Sequence, residues 1–335
     1  MGPYKAQSTL DPSILSSNLK RSSDYYQNRR ALNEILINIT FFEKNAKNVN
    51  IFCNTYMKLS YYINLILELE EVNLLNEQEN SLIDSFDNSI LILDDINDQS
   101  LTRDGEKCFY ITHGIKVTKN EAKKLKIKAF NELNNICNRR NIKLCKKLQA
   151  KFLLKKLDKK IKIGQNIDLS LQKIKKVSIS MESKYDNMIR LFTGGHIKYG
   201  FLLGYLISKK NPTYKKEVVS IGEEIGVIRQ IYDDLNDYEN NKHHEPLGDI
   251  VNHKKRLPEL LFLLNATHTQ KEELIFLLKD PTHNLLEIKN LVLNSKVKKL
   301  IHEKISNIEL LIESKMYNLP EKYKIVFKNL LKKFN

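Results

Sequence analysis

The segment Ser89–Asp98, which reads SILILDDIND, carries a D-D-x-x-D motif at the end of an apolar run. A second segment, Gln230–Asp237, reads QIYDDLND and repeats this arrangement 139 positions further along the chain (233 − 94). Each apolar run has the spacing of a helix rather than the alternation of a strand. The two segments therefore predict two helices that each end in a cluster of carboxylates.

The carboxylates of each motif are spaced to lie on one face of a helix. Residues four positions apart lie on the same side, so Asp94 projects with Asp98, and Asp233 projects with Asp237. Carboxylates grouped in this way repel one another and need a counter-charge. Mg²⁺ supplies it, because it prefers oxygen ligands and shares its coordination shell with phosphates. Solvated acidic helix ends are the alternative, but two copies would arise by chance in on the order of one chain in a thousand.

Composition narrows the class of protein. The chain has 335 residues, of which 41% are hydrophobic and 28% charged, and it contains only 11 Gly and 7 Pro. These values exclude collagen-like and low-complexity chains, and they disfavour a β-sandwich, which needs a turn signal about every 8–12 residues. Apolar residues instead recur three and four apart along most of the chain. We therefore predict an all-α protein with one helical-bundle domain over residues 21–335 and a disordered terminus over residues 1–20.

Charge and cysteine content bear on partners and location. The net charge of +15 favours an anionic partner. Nine of the 55 basic residues are Arg, and no aromatic residues interleave with the Lys runs, so we expect no nucleic-acid binding. Apolar stretches such as Gly200–Ile207 are too short to span a bilayer, so we expect no membrane insertion. The four cysteines lack metal-site spacing and the first residues lack an apolar signal segment, which favours the cytoplasm.

Local signals mark several predicted helix starts. Capping boxes pair Thr118 with Glu121 and Thr269 with Glu272. Apolar residues three and four apart also predict a helix over Tyr25–Phe42. These elements add to the two motif helices in the predicted bundle.

These residues resemble the trans-isoprenyl diphosphate synthase family, within the wider all-α class I isoprenoid synthases. The resemblance runs from about Asp84 to Pro258 and rests on the two aspartate motifs, their separation and three further marks. The marks are TRDG at Thr102–Gly105, DIVNHKKRLP at Asp249–Pro258, and Gln230 just before the second motif. The fold that this resemblance implies is a helical bundle around a deep central cavity, with the motifs facing each other across its mouth.

The resemblance also implies roles for individual residues. The motifs would hold three Mg²⁺ ions that bind an allylic prenyl diphosphate, and metals and basic residues would draw off pyrophosphate to leave a carbocation. The expected metal ligands are first Asp94, Asp98 and Asp233, then Asp237 and Asp234, with Asp95 the weakest. Arg103 and Lys254 are expected to contact the diphosphate, and Gln230 and Thr193 are expected at the substrate. A homodimer is also expected from the family.

Departures from the family pattern concern the second substrate of chain elongation, isopentenyl diphosphate. The family's G-K-x-x-R-P segment is missing, and the nearest region, residues 43–48, reads EKNAKN. Asp87 stands where the family has His or Gln, and Asp104 stands where it has the second Arg of R-R-G. Two carboxylates would repel a diphosphate. The sequence therefore predicts that the isopentenyl site is lost.

A further departure lies beside the allylic substrate. Phe192 precedes Thr193 where the family has Lys-Thr, which removes a contact to the allylic diphosphate. His196 lies about one helical turn further on and either replaces that contact in part or is a structural residue.

The predicted pocket is apolar and of limited depth. Aromatic side chains at helical spacing are expected to line it and stabilise a carbocation, or else to pack in the core: they are Phe86, Phe192, Tyr199 and Tyr232. Ser89 and Ile90 are too small to close the pocket early. Phe86 lies about 12 Å before Asp94 along the helix axis. A floor at that depth suits a C15 chain, and C20 stays open if Phe86 turns aside.

The residues and the resemblance together support four interpretations. The first is a terpene cyclase that acts on farnesyl diphosphate and releases a sesquiterpene hydrocarbon or alcohol. The second is a chain-elongating trans-prenyl diphosphate synthase, and the third is a prenyltransferase to another acceptor such as a peptide. The fourth is a regulatory subunit without activity. Paired carboxylates argue against the fourth interpretation, because they are costly to keep without a metal.

Overall fold

The computed structural model of the chain describes residues 58–103, 106–172, 179–239, 248–251 and 254–333. The helices, in chain order, are α1 (Leu59–Leu69), α2 (Glu77–Asp98), α3 (Phe109–His113), α4 (Ile115–Arg139), α5 (Leu144–Gln172), α6 (Ile179–Ile189), α7 (Gly195–Ser208), α8 (Lys215–Glu239), α9 (Gly248–Val251), α10 (Leu257–Asn265), α11 (His268–Leu277), α12 (Leu285–Leu293), α13 (Val297–Met316) and α14 (Glu321–Lys332). Two short strands, β1 (Thr102–Arg103) and β2 (Glu106–Lys107), pair antiparallel. The predicted all-α fold is confirmed.

Some sequence predictions lie outside the described residues. These are the disordered terminus over residues 1–20, the helix over Tyr25–Phe42, the region of residues 43–48, and Asp104. No helix in the described ranges is long and apolar enough to cross a membrane.

Helices α1 and α7 pack against each other at the centre of the bundle. All but one residue of α1 are buried, so this helix has no polar face. The two helices approach closely because α7 presents glycines to α1. A Cβ added to Gly200 would lie 2.6 Å from the Cβ of Tyr62, and one added to Gly204 would lie 2.7 Å from the Cβ of Ile66. Helix α2 contacts α1, while α5 and α8 contact α7, and together they enclose the centre.

Two carboxylates of α2 hold the amino terminus of α1. The backbone N–H of Leu59 donates to Oδ2 of Asp87 at 2.7 Å, and that of Ser60 donates to Oδ1 of Asp84 at 3.1 Å. The first N–H groups of a helix have no partner inside the helix, and negative charge there is favoured by the helix dipole. These contacts fix α1 to α2 about two turns before the first aspartate motif.

Both predicted capping boxes are misplaced. Thr118 lies inside α4, where its hydroxyl donates to the carbonyl oxygen of Gly114. The box that opens α11 uses Thr267 and Gln270, two residues before the predicted pair. A Thr followed three positions later by an acidic or amide residue also occurs inside helices, so this pattern locates a helix start only approximately.

A single π-helical turn, Arg190–Gly194, joins α6 to α7. Gly226 of α8 lies against it, because a Cβ at Gly226 would be 2.6 Å from the Cα of Gly194 and 2.7 Å from the carbonyl oxygen of Thr193. The backbone of α8 therefore touches the backbone of the turn. Turns of this type are frequent at functional sites, and this one carries Phe192 and Thr193.

A hydrophobic core lies between α1, α2, α4, α5 and α7. It includes two of the predicted pocket walls, Phe86 and Tyr199. Ser89, also predicted at the pocket, is buried, and its hydroxyl donates to the carbonyl oxygen of Phe86 at 2.5 Å. All three residues are buried in the interior of the bundle, and their contact with a substrate stays a prediction.

Candidate active site

A cavity of about 50 Å³ lies between α1, α2, α5, the π-helical turn, α7 and α8. Its apolar lining consists of Ile90, Leu91, Ile161 and Phe192, and its polar lining consists of Tyr62, Asp87, Thr193, His196 and Arg229. Pockets for small molecules usually enclose about 300–1,000 Å³. The predicted pocket position is thus marked by a narrow cavity that aliphatic and aromatic side chains largely fill.

Both motifs begin about one turn beyond this cavity. On α2, Asp94 follows the lining residues Ile90 and Leu91, and on α8, Asp233 follows the lining residue Arg229. Each motif therefore directly follows the part of its helix that lines the cavity.

The first motif directs its aspartates to different partners. Oδ1 of Asp94 accepts a hydrogen bond from Nε2 of Gln165 at 3.3 Å. Oδ2 of Asp98 lies 2.6 Å from the ammonium of Lys254. Oδ1 of Asp95 instead accepts from Nε of Arg103 at 2.8 Å and lies 2.6 Å from its Nη2. Asp95 therefore holds Arg103 beside the motif.

The second motif turns one aspartate into the bundle. Asp233 is about half exposed, and its Oδ2 lies 3.5 Å from Nε of Arg229. Asp234 is buried, and its carboxylate accepts hydrogen bonds from three groups in the protein. The donors are the hydroxyl of Tyr185 at 2.7 Å, Nε2 of Gln230 at 2.9 Å and the backbone N–H of Leu257 at 3.3 Å. These bonds make Asp234 part of the scaffold that supports the motif.

Lys254 connects the first motif to Asp249. Its ammonium is 2.6 Å from Oδ2 of Asp98 and 3.2 Å from Oδ1 of Asp249. Its positive charge also acts to lower the pKa of Asp94 and of Asp237. One buried cation therefore contacts Asp98 and acts electrostatically on carboxylates of both motifs.

The motif carboxylates have raised pKa values. Burial, and after it the charge of Asp98, raises the pKa of Asp94 to about 7. Burial, followed by the charges of Asp249 and Asp234, raises the pKa of Asp237 to about 7. Such shifts show that the nearby positive charge does not balance the carboxylates. A divalent cation would balance them, and a donor set made only of carboxylate oxygens fits Mg²⁺.

The motif carboxylates do not form a close cluster of metal ligands in the described part of the chain. Within the described ranges, no three His, Cys, Asp or Glu side chains are gathered closely enough to hold a metal ion. The ammonium of Lys254 contacts Oδ2 of Asp98, an oxygen that a metal ion would otherwise coordinate. A metal ion bound by Asp98 would therefore compete with Lys254 for that carboxylate.

Thr193 and Gln230, both predicted at the substrate, bond to each other. Oγ1 of Thr193 donates to Oε1 of Gln230 at 2.5 Å, and Nε2 of Gln230 donates to Oδ1 of Asp234 at 2.9 Å. Thr193 and its neighbour Phe192 also line the cavity. Gln230 therefore links the π-helical turn to the second motif, and its position at the substrate stays a prediction.

His196 lines the cavity next to Asp87. Its Nε2 is 3.0 Å from Oδ1 of Asp87, and its ring meets that of Tyr62 edge to face. This pairing places His196 against α2 as well as beside the cavity. Tyr232, the remaining predicted aromatic wall, is half-buried on α8.

Sequence reasoning missed several residues that support the site. Nε of Arg256 donates to Oδ2 of Asp249 at 2.7 Å, and its Nη1 donates to Oδ1 of Asp168 at 2.9 Å. Asp249 and Arg256 were part of the segment quoted for the resemblance, so their opposite charges were visible there. Gln165 and Asp168 are three positions apart on α5, which is the spacing that puts polar groups on one helical face.

Comparisons with known proteins identify the family and the fold of the chain. The polyprenyl synthetase family model matches residues 59–294. A geranylgeranyl pyrophosphate synthetase from Pyrococcus horikoshii has 24% identity, coverage of 82% of this chain and 84% of its own, and a TM-score of 0.67. A polyprenyl synthetase from Streptomyces coelicolor has 15% identity, coverage of 84% and 83%, and a TM-score of 0.66. A polyprenyl synthase from Caulobacter crescentus, complexed with calcium and isoprenyl diphosphate, has 15% identity, coverage of 82% and 81%, and a TM-score of 0.66.

At these identities the solved structures show a shared fold. No curated protein sequence matches the chain significantly. The family model is the stronger finding, since it spans both aspartate motifs and well over half of the residues. The chain therefore belongs to the polyprenyl synthetase family.

Proposed function

We propose that the chain is a trans-prenyl diphosphate synthase, which joins an allylic prenyl group to isopentenyl diphosphate. The observation that carries this proposal is the arrangement around Lys254, where one buried cation contacts Asp98 and acts electrostatically on carboxylates of both motifs. Family membership supports an enzyme that acts on prenyl diphosphates. The names of the similar structures, geranylgeranyl and polyprenyl synthases, favour chain elongation over cyclisation.

This proposal reverses the order predicted from the sequence. The cyclase interpretation depended on repulsion between a diphosphate and the carboxylates of Asp87 and Asp104. In the structure, Asp87 accepts a hydrogen bond from the N–H of Leu59 and lies 3.0 Å from His196. Its carboxylate therefore has partners inside the bundle. Asp104 and residues 43–48 lie outside the described residues. The cyclase stays the second candidate, because Phe192 lines the cavity where the family has Lys.

Each part of the site has a task in the proposed reaction. When bound, Mg²⁺ neutralises the charge that collects on pyrophosphate as the carbon–oxygen bond breaks. The residues expected to hold the ions are Asp94, Asp98, Asp233 and Asp237. We leave Asp234 out of this set, because three donors already occupy its carboxylate. Arg103 and Lys254 add positive charge for the diphosphate, and the apolar lining keeps water from the carbocation.

The prenyl tail has to displace side chains as it enters. A cavity of about 50 Å³ is smaller than the roughly 150 Å³ that accommodates benzene in an engineered core. Phe192 and Leu91 are half-buried lining residues, which makes them the side chains most able to move. Phe86 is fully buried about 12 Å before Asp94, and we keep a C15 allylic substrate as the expected size.

Substrate mixtures test the proposed function directly. The purified protein with Mg²⁺ is incubated with C10, C15 and C20 allylic diphosphates, with and without isopentenyl diphosphate, and the products are identified by mass spectrometry. We expect longer prenyl diphosphates only when isopentenyl diphosphate is present. Volatile hydrocarbons formed without it would replace this proposal with the cyclase interpretation.

Two variants locate any activity at the site. Asp94→Ala should abolish turnover while leaving the helical circular dichroism intact. Asp280→Ala is the matched control, because it removes an exposed aspartate far along the chain that bonds only to neighbouring residues. Equal activity in both variants would overturn the assignment of the site.

A further inference from the structure

Arg256 joins three segments of the chain with one side chain. It lies just before α10 and is largely buried. Its Nε donates to Oδ2 of Asp249 on α9 at 2.7 Å, and its Nη1 donates to Oδ1 of Asp168 on α5 at 2.9 Å. A guanidinium presents its donors in a fixed plane, so the two bonds determine the position of both carboxylates relative to each other.

Asp249, which Arg256 holds in position, also contacts Lys254. The oxygen of Asp249 that Arg256 does not use, Oδ1, lies 3.2 Å from the ammonium of Lys254. The backbone N–H of Lys254 also donates to the carbonyl oxygen of Asp249 at 2.8 Å. Lys254 in turn lies 2.6 Å from Oδ2 of Asp98. A continuous series of charged contacts therefore runs from α5 to the first aspartate motif.

The charges explain why Arg256 matters to this series. Burial alone would raise the pKa of Asp249, but Arg256 and then Lys254 outweigh it and hold that pKa well below its usual range. Without Arg256, the buried carboxylate of Asp249 would have only Lys254 as a cationic partner among these contacts. Lys254 would then be drawn fully to Asp249, because an uncompensated buried charge is costly.

Metal binding would make this anchor more important. When Asp98 serves as a metal ligand, its carboxylate is shared between the metal ion and the ammonium of Lys254. Asp249 is then the carboxylate that keeps Lys254 in place. Arg256 neutralises part of the charge of Asp249, so that Lys254 is not drawn entirely to that carboxylate. The same arrangement leaves the ammonium beside the first motif.

We propose that Arg256 is a positioning residue that acts through Asp249 to hold the ammonium of Lys254 where a diphosphate binds. The proposal rests on the proposed function in one respect, namely that the ligand between the motifs is a diphosphate. It differs from a purely structural role, in which Arg256 would only tie α5 to α10. A structural role would lower stability without a specific effect on binding at Lys254.

Pyrophosphate binding separates these two roles. The titration uses the full chain with excess Mg²⁺ and inorganic pyrophosphate as the probe, followed by isothermal calorimetry. We expect Arg256→Gln to weaken binding about tenfold, the scale typical of residues that orient a binding group. Lys254→Gln should weaken it at least as much. The double variant should bind no worse than Lys254→Gln, because Arg256 then has nothing left to position.

The neighbouring residue Lys255 provides a matched control. Its ammonium lies 2.6 Å from Oε1 of the buried Glu259, so the charge of Lys255 is directed to α10. Lys255→Gln removes a buried ion pair from the same segment, so we expect lower thermal stability with unchanged pyrophosphate affinity. Arg256→Lys should bind with intermediate affinity, because an ammonium cannot reproduce both guanidinium bonds.

Specific outcomes would overturn the inference. They are unchanged affinity in Arg256→Gln, losses that add in the double variant, an equal loss in Lys255→Gln, or a parent chain that does not bind pyrophosphate. The proposed function can fail separately. If the parent chain binds pyrophosphate with the expected coupling but does not elongate prenyl diphosphates, the role of Arg256 stands and the reaction assignment falls.

Discussion

Oδ2 of Asp87 accepts a hydrogen bond from the backbone N–H of Leu59 at 2.7 Å, across two different helices. The carboxylate sits on α2 and completes the first turn of α1, which otherwise has no side-chain cap of its own. Asp87 therefore contributes to the joint between α1 and α2 as well as to the cavity wall.

We expect Asp87→Ala to lower the free energy of unfolding by about 1–3 kcal/mol, because it leaves a buried N–H without its acceptor. Asp87→Asn should cost less, since its amide oxygen still accepts the bond. Urea denaturation followed by circular dichroism measures both changes. Asp280→Ala, at an exposed position, serves as the control and should stay within about 0.5 kcal/mol of the parent chain. A loss no larger than the control's would show that this bond does not hold α1.

Gln165 orients Asp94 from the neighbouring helix, with Nε2 at 3.3 Å from Oδ1. We expect Gln165→Leu to weaken Mg²⁺ binding about tenfold, as is typical when a partner of a metal ligand is removed. The measurement is the Mg²⁺ dependence of pyrophosphate binding. Gln149→Leu changes an exposed glutamine on the same helix and should have no effect. Equal Mg²⁺ dependence in both variants would contradict a role for Gln165.

Gly226 permits the contact between α8 and the π-helical turn. We expect Gly226→Ala to destabilise the chain by about 1–3 kcal/mol, the usual cost of overpacking, because its Cβ would meet backbone atoms at 2.6–2.7 Å. Gly195→Ala is a milder comparison, since its Cβ would meet the carbonyl oxygen of Arg190 at 3.3 Å. The melting temperatures of the two variants are compared, and we expect the lower value for Gly226→Ala. A lower value for Gly195→Ala would mean that the π-helical turn adjusts easily to a Cβ at Gly226.

Phe192 limits the cavity that a prenyl tail must enter. We expect Phe192→Ala to shift the products to longer prenyl chains, because it opens space beside Leu91 and Ile161. Phe152→Ala removes an exposed phenylalanine of α5 and serves as the control. Mass spectrometry of the products provides the measurement. An unchanged product length in Phe192→Ala would place the tail elsewhere.

The effect of Mg²⁺ on stability should depend on pH. Asp94 and Asp237 have pKa values of about 7 in the folded chain, above the roughly 3.9 of an unfolded aspartate. Between these values the folded state binds more protons, so rising pH lowers the free energy of unfolding of the metal-free chain until about pH 7. Mg²⁺ has to displace those protons at low pH but not above pH 7.

We therefore expect excess Mg²⁺ to raise the melting temperature more at about pH 8 than at about pH 5.5. Scanning calorimetry with and without Mg²⁺ at both pH values measures the difference. Asp94→Asn should reduce the increase at the higher pH. An Mg²⁺ effect that is equal at the two pH values would argue against ion binding at these carboxylates.

The parts of the site that the sequence predicts are those encoded over a few residues. Helical periodicity and the i, i+4 spacing place Asp94 with Asp98 on one face at the carboxyl end of α2 without knowledge of any other helix. The role of Asp234 could not be predicted in this way, because its partner Tyr185 is 49 positions away. The small size of the cavity also depends on how side chains from six elements pack. Contacts of this kind follow from the tertiary structure rather than from local pattern.

The π-helical turn Arg190–Gly194 holds one residue more than an α-helical turn, and one residue corresponds to a rotation of about 100°. Tyr185 and Phe201, on either side of it, therefore do not share a helical wheel. Deleting a single residue here would swing the glycines of α7, Gly200 and Gly204, away from α1. We expect this stretch to accept changes of side chain more readily than changes of length. Where a related chain has an α-helical turn here instead, a sequence alignment should place a one-residue gap at this turn.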